Sequence, residues 1–245
     1  EPYKSEHQEK MAAYFLRGQS TIFNTTRELT GQRKDGDIFP LELSVARIMD
    51  SHNRQSFTGI MRDISERKKE EERLTYIAYH DVLTGLPNRA MFEEHLKKAR
   101  DRSLRSNKAL GVIFTDLDNF KPINDSLGHE AGDLVLIEVA KRFKSVIRSS
   151  DTVARLGGDE FVAIIENLED SKDIELVAHK MLEVLQEPIL LQGKEYKVGA
   201  SLGIAILPDH ASDLDELLDC ADKAMYESKK GGRNQYRIYT SDMQS

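Results

Sequence analysis

Hydrophobic positions recur along this chain with two periods, and the exchange between them outlines its elements. From Ser5 to Arg17 the apolar residues Met11, Ala12, Tyr14, Phe15 and Leu16 cluster with helical spacing, and Gly18 follows as a stop. Three strand-like runs come next, Ile22 to Gln32, Ile38 to Met49 and Ser56 to Ile64, separated by a Lys34-Asp35-Gly36-Asp37 turn and a polar turn over Asp50 to Arg54. They predict a three-stranded antiparallel meander. One helix and three strands bury too little apolar surface for an independent core, so residues 1–65 read as the later part of a larger domain. Residues 66–79 are dense in Glu, Lys and Arg, with Leu74, Ile77 and Ala78 spaced for one helical face. They predict a connecting helix, either solvated or dimer-forming.

From His80 to Ser245 helical and strand patterns interleave, which defines a second domain. Its expected strands are Leu110 to Thr115, Thr152 to Leu156, Phe161 to Glu166, a pair formed by Ile189 to Leu191 and Glu195 to Ile206, and Gln235 to Tyr239. Its expected helices are Glu130 to Ile147, Asp173 to Gln186 and Leu214 to Lys229. Mixed alternation with hairpins predicts an α+β fold, a sheet covered by helices.

Two places in this domain put carboxylates where buried strands end. Leu110 to Phe114 is uniformly apolar, as in a central strand, yet it runs into Thr115-Asp116-Leu117-Asp118. A carboxylate there is costly unless paired; the plainer alternative is that Asp116 caps a following helix. In Arg155-Leu156-Gly157-Gly158-Asp159-Glu160-Phe161 two glycines break an apolar hairpin and bring bare backbone toward a ligand, while Asp159 and Glu160 sit at its tip. Together with Asp116 this tip suits a hard cation, since magnesium takes one or two carboxylates along with substrate phosphates.

Composition narrows the partners. A net charge of -7 opposes broad nucleic-acid binding, which needs clustered Lys and Arg. Cys220 is the single cysteine, so no internal disulfide forms and a reducing cytoplasm is expected. No apolar run approaches the roughly 18 residues that span a bilayer, and the polar start Glu1 to Lys10 is unlike a signal peptide. No membrane segment is expected within this chain.

Gly157-Gly158-Asp159-Glu160-Phe161 is the GGDEF signature, and further motifs stand in family order. They are Asp81-Val82-Leu83-Thr84-Gly85-Leu86-Pro87-Asn88-Arg89, Asp116-Leu117-Asp118-Asn119-Phe120-Lys121, Ile123-Asn124-Asp125-Ser126-Leu127-Gly128-His129-Glu130-Ala131-Gly132-Asp133, and Ala221-Asp222-Lys223-Ala224-Met225-Tyr226 leading through Lys229 to Gly231-Gly232-Arg233-Asn234. Over residues 80–240 the chain resembles the GGDEF family of diguanylate cyclases. The resemblance implies a fold like the palm of nucleotidyl cyclases and polymerases. It also implies a nucleotidyl transfer in which a ribose 3′-hydroxyl attacks the α-phosphorus of a second GTP, giving cyclic di-GMP and two pyrophosphates.

Site roles follow from the same resemblance. Asp116, the backbone carbonyl of Leu117 and Asp159 are the implied magnesium ligands, with manganese as the substitute metal. Glu160 supports the metal or the leaving phosphates, and Asp159 is the implied proton acceptor. Asn124 and Asp133 are the implied guanine-reading pair, Asp133 accepting from the base N1 and N2 hydrogens; read alone they are a helix cap and a surface acid. His129 packs beside them or touches the nucleotide. The amides of Asn119 and Phe120 at a helix start, and the bare backbone at Gly158, suit phosphates. Lys229 and Arg233 match the triphosphate-binding pair, against a bland alternative of two solvated cations at a helix end. Arg148-Ser149-Ser150-Asp151, separated from Gly157 by five residues, matches the family's RxxD site for inhibitory product, against the alternative of a surface ion pair. A homodimer is expected, since two GTP must face each other.

The first domain resembles the last helix and final three strands of a PAS sensor domain. The residues that carry this are Glu1-Pro2-Tyr3-Lys4-Ser5-Glu6-His7, Thr30-Gly31-Gln32-Arg33-Lys34-Asp35-Gly36, Phe39-Pro40 and Phe57-Thr58-Gly59-Ile60-Met61-Arg62-Asp63-Ile64. His7 sits where PAS domains of rhizobial oxygen-sensor kinases hold haem, and Arg27 near their ligand-contacting arginine. Haem is the minor alternative, because half of the pocket is missing. Tyr239-Thr240-Ser241-Asp242-Met243 resembles the junction into an EAL phosphodiesterase domain. The alternative function is therefore a GTP- or cyclic di-GMP-binding regulatory module without turnover.

Overall fold

The computed structural model describes residues 26–49 and 55–243, in two compact units, Glu1–Thr75 and Tyr76–Ser245. In the first, β1 (Thr26–Gln32), β2 (Ile38–Met49) and β3 (Gln55–Asp63) form the expected antiparallel meander. Its first turn is closed by Arg33 N–H donating to Asp37 O at 2.7 Å and Gly36 N–H to Arg33 O at 3.0 Å. Neighbouring Ile60 and Met61 point to opposite faces, and both are exposed, at 67% and 72%. Neither face of the meander is fully covered by the described residues. The helix expected over Ser5 to Arg17, the start of the first strand, the second turn and His7 lie outside the described residues.

Helix α1 (Ser65–Tyr79) follows β3, and Asp63 Oδ1 accepts the Ser65 N–H at 2.9 Å. None of its residues is buried. Leu74, Tyr76, Ile77 and Tyr79 are exposed, and of these Tyr76 stacks its ring on His80 with centroids 4.2 Å apart.

The second unit is built on a mixed five-stranded sheet in the order β10-β9-β4-β6-β5. These strands are β4 (Ala109–Asp118), β5 (Thr152–Gly157), β6 (Glu160–Leu168), β9 (Gly199–Leu207) and β10 (Gln235–Ile238), with only the β9–β10 pair parallel. A hairpin of β7 (Ile189–Leu191) and β8 (Lys194–Tyr196) stands apart. The helices are α2 (Arg89–Ser106), α3 (Phe120–Leu127), α4 (His129–Val146), α5 (Ser171–Leu185) and α6 (Leu214–Lys230). Strand alternation divides the core in two. Ile113 and Leu117 of β4, with Phe161 and Ala163 of β6, face Val139 and Phe143 of α4 and Ile174 and Met181 of α5. Leu110 and Val112, with Val162 and Ile164, face Phe92 and Leu96 of α2 and Leu217 and Ala221 of α6.

Helix α6 lies unusually close to β9. A Cβ on Gly203 would stand 2.0 Å from Ala221 O and 2.1 Å from Met225 N, so only glycine admits this helix backbone. That closeness, together with the α6 face of β4, determines which side chains meet at the strand ends.

Three expectations need correction. Strand β4 does not end at Thr115 but runs to Asp118, because β6 pairs with it as far as Asp116 and β9 as far as Asp118. The strand expected over Glu195 to Ile206 is two strands, broken at Lys197-Val198, with β8 paired to β7 and β9 to β4. Helix α2 had no counterpart in the sequence reading: its buried stripe is only Phe92, Leu96 and Ala99 in a highly charged segment. Its ends are nevertheless well formed, with the Asn88 side chain accepting Met91 N–H and a left-handed Asn107 closing it.

Candidate active site

Asp116 leaves β4 on the α6 face, and α6 brings Lys229 to it: Lys229 Nζ lies 2.7 Å from Asp116 Oδ2. Across the ladder Asp116 is in register with Glu160 on one side and Ser201 on the other, so the hairpin tip sits directly beside it. Leu117 N–H donates to Asp159 O at 3.3 Å. Burial raises the Asp116 pKa, the Lys229 hydrogen bond opposes this, and the nearby Asp159 and Asp118 charges push it further up; the net direction is upward. Asp116 is thus no helix cap. Residue Asn119 occupies the cap position of α3, in a left-handed conformation and without a side-chain cap bond.

The chain reverses from β5 to β6 through Gly158 and Asp159, with Gly157 and Gly158 at φ 147° and 52° and open space where their side chains would stand. This turn is held by a residue the sequence reading passed over. Arg155 donates through Nη1 to both Asp81 oxygens at 2.9 and 3.0 Å, and through Nε and Nη2 to Gly158 O at 3.1 and 2.7 Å. Arg155 N–H also reaches Pro87 O at 3.0 Å. Asp81 is braced in turn by the Thr84 N–H and hydroxyl at 2.9 and 2.6 Å. Burial alone would raise the Asp81 pKa, but the bonds from Thr84 and Arg155 outweigh it and hold the carboxyl below its ordinary value. The signal was available, since Asp81 and Arg155 both belong to quoted motifs; their pairing across 74 positions was not.

Among the described residues no three His, Cys, Asp or Glu side chains converge into a ready-made cation cage. A magnesium ion does not require one. The oxygens that could hold one are hard donors: the Asp116 carboxylate, the Leu117 carbonyl and the Asp159 carboxylate, with Glu160 alongside. Burial, more than any neighbour, disfavours the ionised form of Asp116, which a divalent cation beside it would stabilise, and phosphates would complete such a shell.

Helices α3 and α4 form a tight corner through Gly128. Asn124 is partly buried, and its Oδ1 is enclosed without a hydrogen-bond partner. It lies where a Cβ on Gly132 would be, 1.8 Å away, so the glycine makes room for the amide. Asp133 comes next on α4 and is exposed, as is His129 at the helix start. Asn119 and Phe120 open α3, whose first amides have no partner within the helix.

At the other end of the site α6 gives way to a turn with Gly232, Arg233 and Asn234 at φ 120°, 63° and 47°. Left-handed backbone costs a residue with a side chain roughly 1–2 kcal/mol, so this turn needs external support. The Arg233 side chain is exposed and has no partner among the described residues. Arg148 and Asp151 lie at the α4–β5 connection. They do not pair through their side chains: Asp151 Oδ2 accepts the Arg148 main-chain N–H at 3.4 Å and Oδ1 the Glu166 N–H at 3.2 Å, while the exposed guanidinium stands clear. The surface ion pair weighed as the alternative does not form.

Residues 78–235 match the family described as diguanylate cyclase, GGDEF domain. The chain belongs to this family. A PAS domain matches over residues 2–66. The GGDEF chain is 38% identical over 199 residues to the bifunctional diguanylate cyclase/cyclic di-GMP phosphodiesterase MucR of Pseudomonas aeruginosa, a match covering 81% of this chain and 28% of that protein. It is 42% identical to the solved GGDEF domain of TpbB from the same organism, at a TM-score of 0.66, covering 67% of this chain and 96% of that one. A coiled-coil and GGDEF structure of DgcB from Caulobacter crescentus, in complex with c-di-GMP, superposes at a TM-score of 0.61 with 27% identity, covering 72% of this chain and 92% of that one. The chain spans well under half the length of the curated relatives it matches. No helix among the described residues is long and apolar enough to cross a membrane.

Proposed function

We propose that this chain is a diguanylate cyclase that condenses two GTP into cyclic di-GMP and two pyrophosphates. The observation that carries the reading is the meeting of three elements: Asp116 on β4, the Gly157–Glu160 turn in register beside it, and Lys229 of α6 at 2.7 Å. Asn124 and Asp133 take the guanine, and Asp133 rejects adenine because an acceptor facing the base N1 would have no donor there. Asn119 and Phe120 amides at the α3 start, with Lys229 and Arg233, take the β- and γ-phosphates. Lys229 exchanges its bond to Asp116 for one to the triphosphate as the substrate enters. Magnesium held by Asp116, the Leu117 carbonyl and Asp159 would supply charge neutralisation and a lowered pKa for the attacking hydroxyl. Asp159 receives the 3′-hydroxyl proton, with Glu160 beside it. The 3′-oxygen bonds to the α-phosphorus of the second GTP as its bond to pyrophosphate breaks, and the reciprocal transfer closes the ring.

One site holds one GTP, so the working form is a homodimer with two sites facing. The exposed Leu74 and Ile77 of α1 are positions that a helix-to-helix contact would cover. The free guanidinium of Arg148 and the fixed carboxylate of Asp151 support a product site through which cyclic di-GMP restrains turnover, and the PAS segment supplies regulatory input. Placement in the cytoplasm follows from GTP as substrate. The test is incubation of the purified chain with GTP and magnesium, with products identified by mass. Cyclic di-GMP and pyrophosphate are expected. GTP that binds and is recovered unchanged would instead support a regulatory module, the role open to a GGDEF domain beside a phosphodiesterase.

A further inference from the structure

We infer that Asp118 is a positioning residue for the triphosphate end of this site, an inference that rests on Lys229 and Arg233 being triphosphate ligands. Asp116 and Asp118 stand two apart on β4, so both carboxylates leave the same face of the strand. An Asp-Leu-Asp run of this kind invites the reading that both acids hold a metal. Their surroundings assign them different tasks. Asp116 faces Lys229 at the mouth of the site. Asp118 is only 6% exposed, and both its oxygens are occupied. Its Oδ1 accepts the hydroxyl of fully buried Ser201 at 2.7 Å, and its Oδ2 accepts the main-chain N–H of Asn234 at 2.8 Å.

That second bond joins residues 116 positions apart and lands on the left-handed turn after α6. Consecutive left-handed residues with side chains persist only where their surroundings fix them. The turn has other supports: Arg233 N–H donates to Ser228 O at 3.2 Å, and Asn234 Oδ1 accepts from Gln186 Nε2 at 3.3 Å. Among these the Asp118 bond is the shortest, and it is the one made to a buried carboxylate. Arg233 itself is exposed, with no side-chain partner among the described residues, so what the fold fixes is the backbone position from which its side chain reaches out. Asp118 therefore acts through Arg233. It fixes the distance between the strand that carries Asp116 and the turn that carries the phosphate-binding arginine.

The experiment is calorimetric titration of the full chain with two probes, a GTP analogue with a methylene bridge between the α- and β-phosphorus, and GMP. Asp118→Asn keeps the shape but removes the charge and opposes one donor with another. It should weaken the GTP analogue about tenfold and leave GMP, which lacks the outer phosphates, unchanged. Arg233→Ala should show the same split, and the double variant should lose no more than either single one. Adding Asn234→Gly to Asp118→Asn should recover much of the loss, because glycine adopts the left-handed turn unaided. Equal weakening of both probes, or of neither, overturns the proposal. If Asp118→Asn does not fold, Ser201→Ala loosens the same carboxylate and should lower the ratio of GTP-analogue to GMP affinity about threefold; an unchanged ratio overturns it. A parent chain that binds neither probe removes the nucleotide-site reading and this inference with it, an outcome distinct from a parent that binds both and an Asp118 variant that behaves like it.

Discussion

Arg155→Ala removes one guanidinium and with it four hydrogen bonds, two to Asp81 and two to Gly158 O. The side chains are 10% and 22% exposed, so this is a mostly buried pair. Breaking a fully buried pair from one side costs roughly 3–5 kcal/mol, whereas exposed pairs contribute about 0–1 kcal/mol. Asp81 keeps its two bonds from Thr84, which places the loss at about 2–3 kcal/mol. For a domain of this size each kcal/mol moves the melting temperature by roughly 2–4 °C, so a drop of about 5–10 °C is expected in thermal unfolding. Turnover should fall more than stability, at least about tenfold at temperatures where the variant is folded, because the released Gly158 carbonyl no longer fixes the turn bearing Asp159 and Glu160. In a double-mutant cycle, Asp81→Ala with Arg155→Ala should cost at least about 1 kcal/mol less than the sum of the single changes. The pH dependence has a definite sign. The folded Asp81 pKa is depressed, so its contribution is fully present above the ordinary aspartate pKa of about 4 and fades as pH falls below it. Additive single and double variants, or an Arg155→Ala protein that melts within a degree or two of the parent, would refute the clamp.

Other outcomes test the remaining parts of the site. Asp116→Ala and Asp159→Ala should each abolish cyclic di-GMP formation, measured by product assay, while the melting temperature moves by only a few degrees, since neither side chain packs in the core. Gly132→Ala should weaken GTP binding at least about tenfold in calorimetry, because its Cβ occupies the space of Asn124 Oδ1; unchanged affinity would remove Asn124 from the guanine contact. Arg148→Ala should turn over GTP at the parent rate yet resist inhibition by added cyclic di-GMP, and inhibition at the parent's product concentration would place feedback elsewhere.

Many of the residues that meet at the strand ends were legible because they lie in contiguous motifs. Asp116 and Asp159 were named on residue type and position and Lys229 through the family resemblance, and the fold does bring Lys229 onto Asp116. What escaped the sequence was pairing at long range and polarity at short range. The Arg155–Asp81 clamp and the Asp118–Asn234 bond join residues 74 and 116 positions apart, and a period of 2 or 3.6 carries no information about such partners. Helix α2 was invisible for a different reason: it buries only Phe92, Leu96 and Ala99, while the exposed Leu104 adds an apolar residue off that stripe. The break at Lys197-Val198 was hidden because the two-residue alternation of Tyr196, Val198 and Ala200 runs straight through it, and only the change of pairing partner separates β8 from β9.

The charge distribution explains how an acidic chain can take a polyanion. Asp116, Asp118, Asp159 and Glu160 gather at one end of the sheet, in a protein of net charge -7, where a bare triphosphate would be repelled. Two of the four acids are already engaged. Asp118 spends its oxygens on Ser201 and Asn234, and Asp116 faces the Lys229 ammonium. If Lys229 moves to the phosphates as proposed, Asp116 loses its counter-charge at the moment that negative charge arrives beside it. The exchange is favourable only if a cation takes the place of the ammonium, so nucleotide and divalent ion must enter as one unit. GTP titrated in the presence of a chelator should therefore bind far more weakly than GTP with magnesium, whereas GMP should show little difference between the two conditions. Equal GTP affinity with and without the divalent ion would mean that Lys229 never leaves Asp116, and that Arg233 and the α3 amides hold the triphosphate without it.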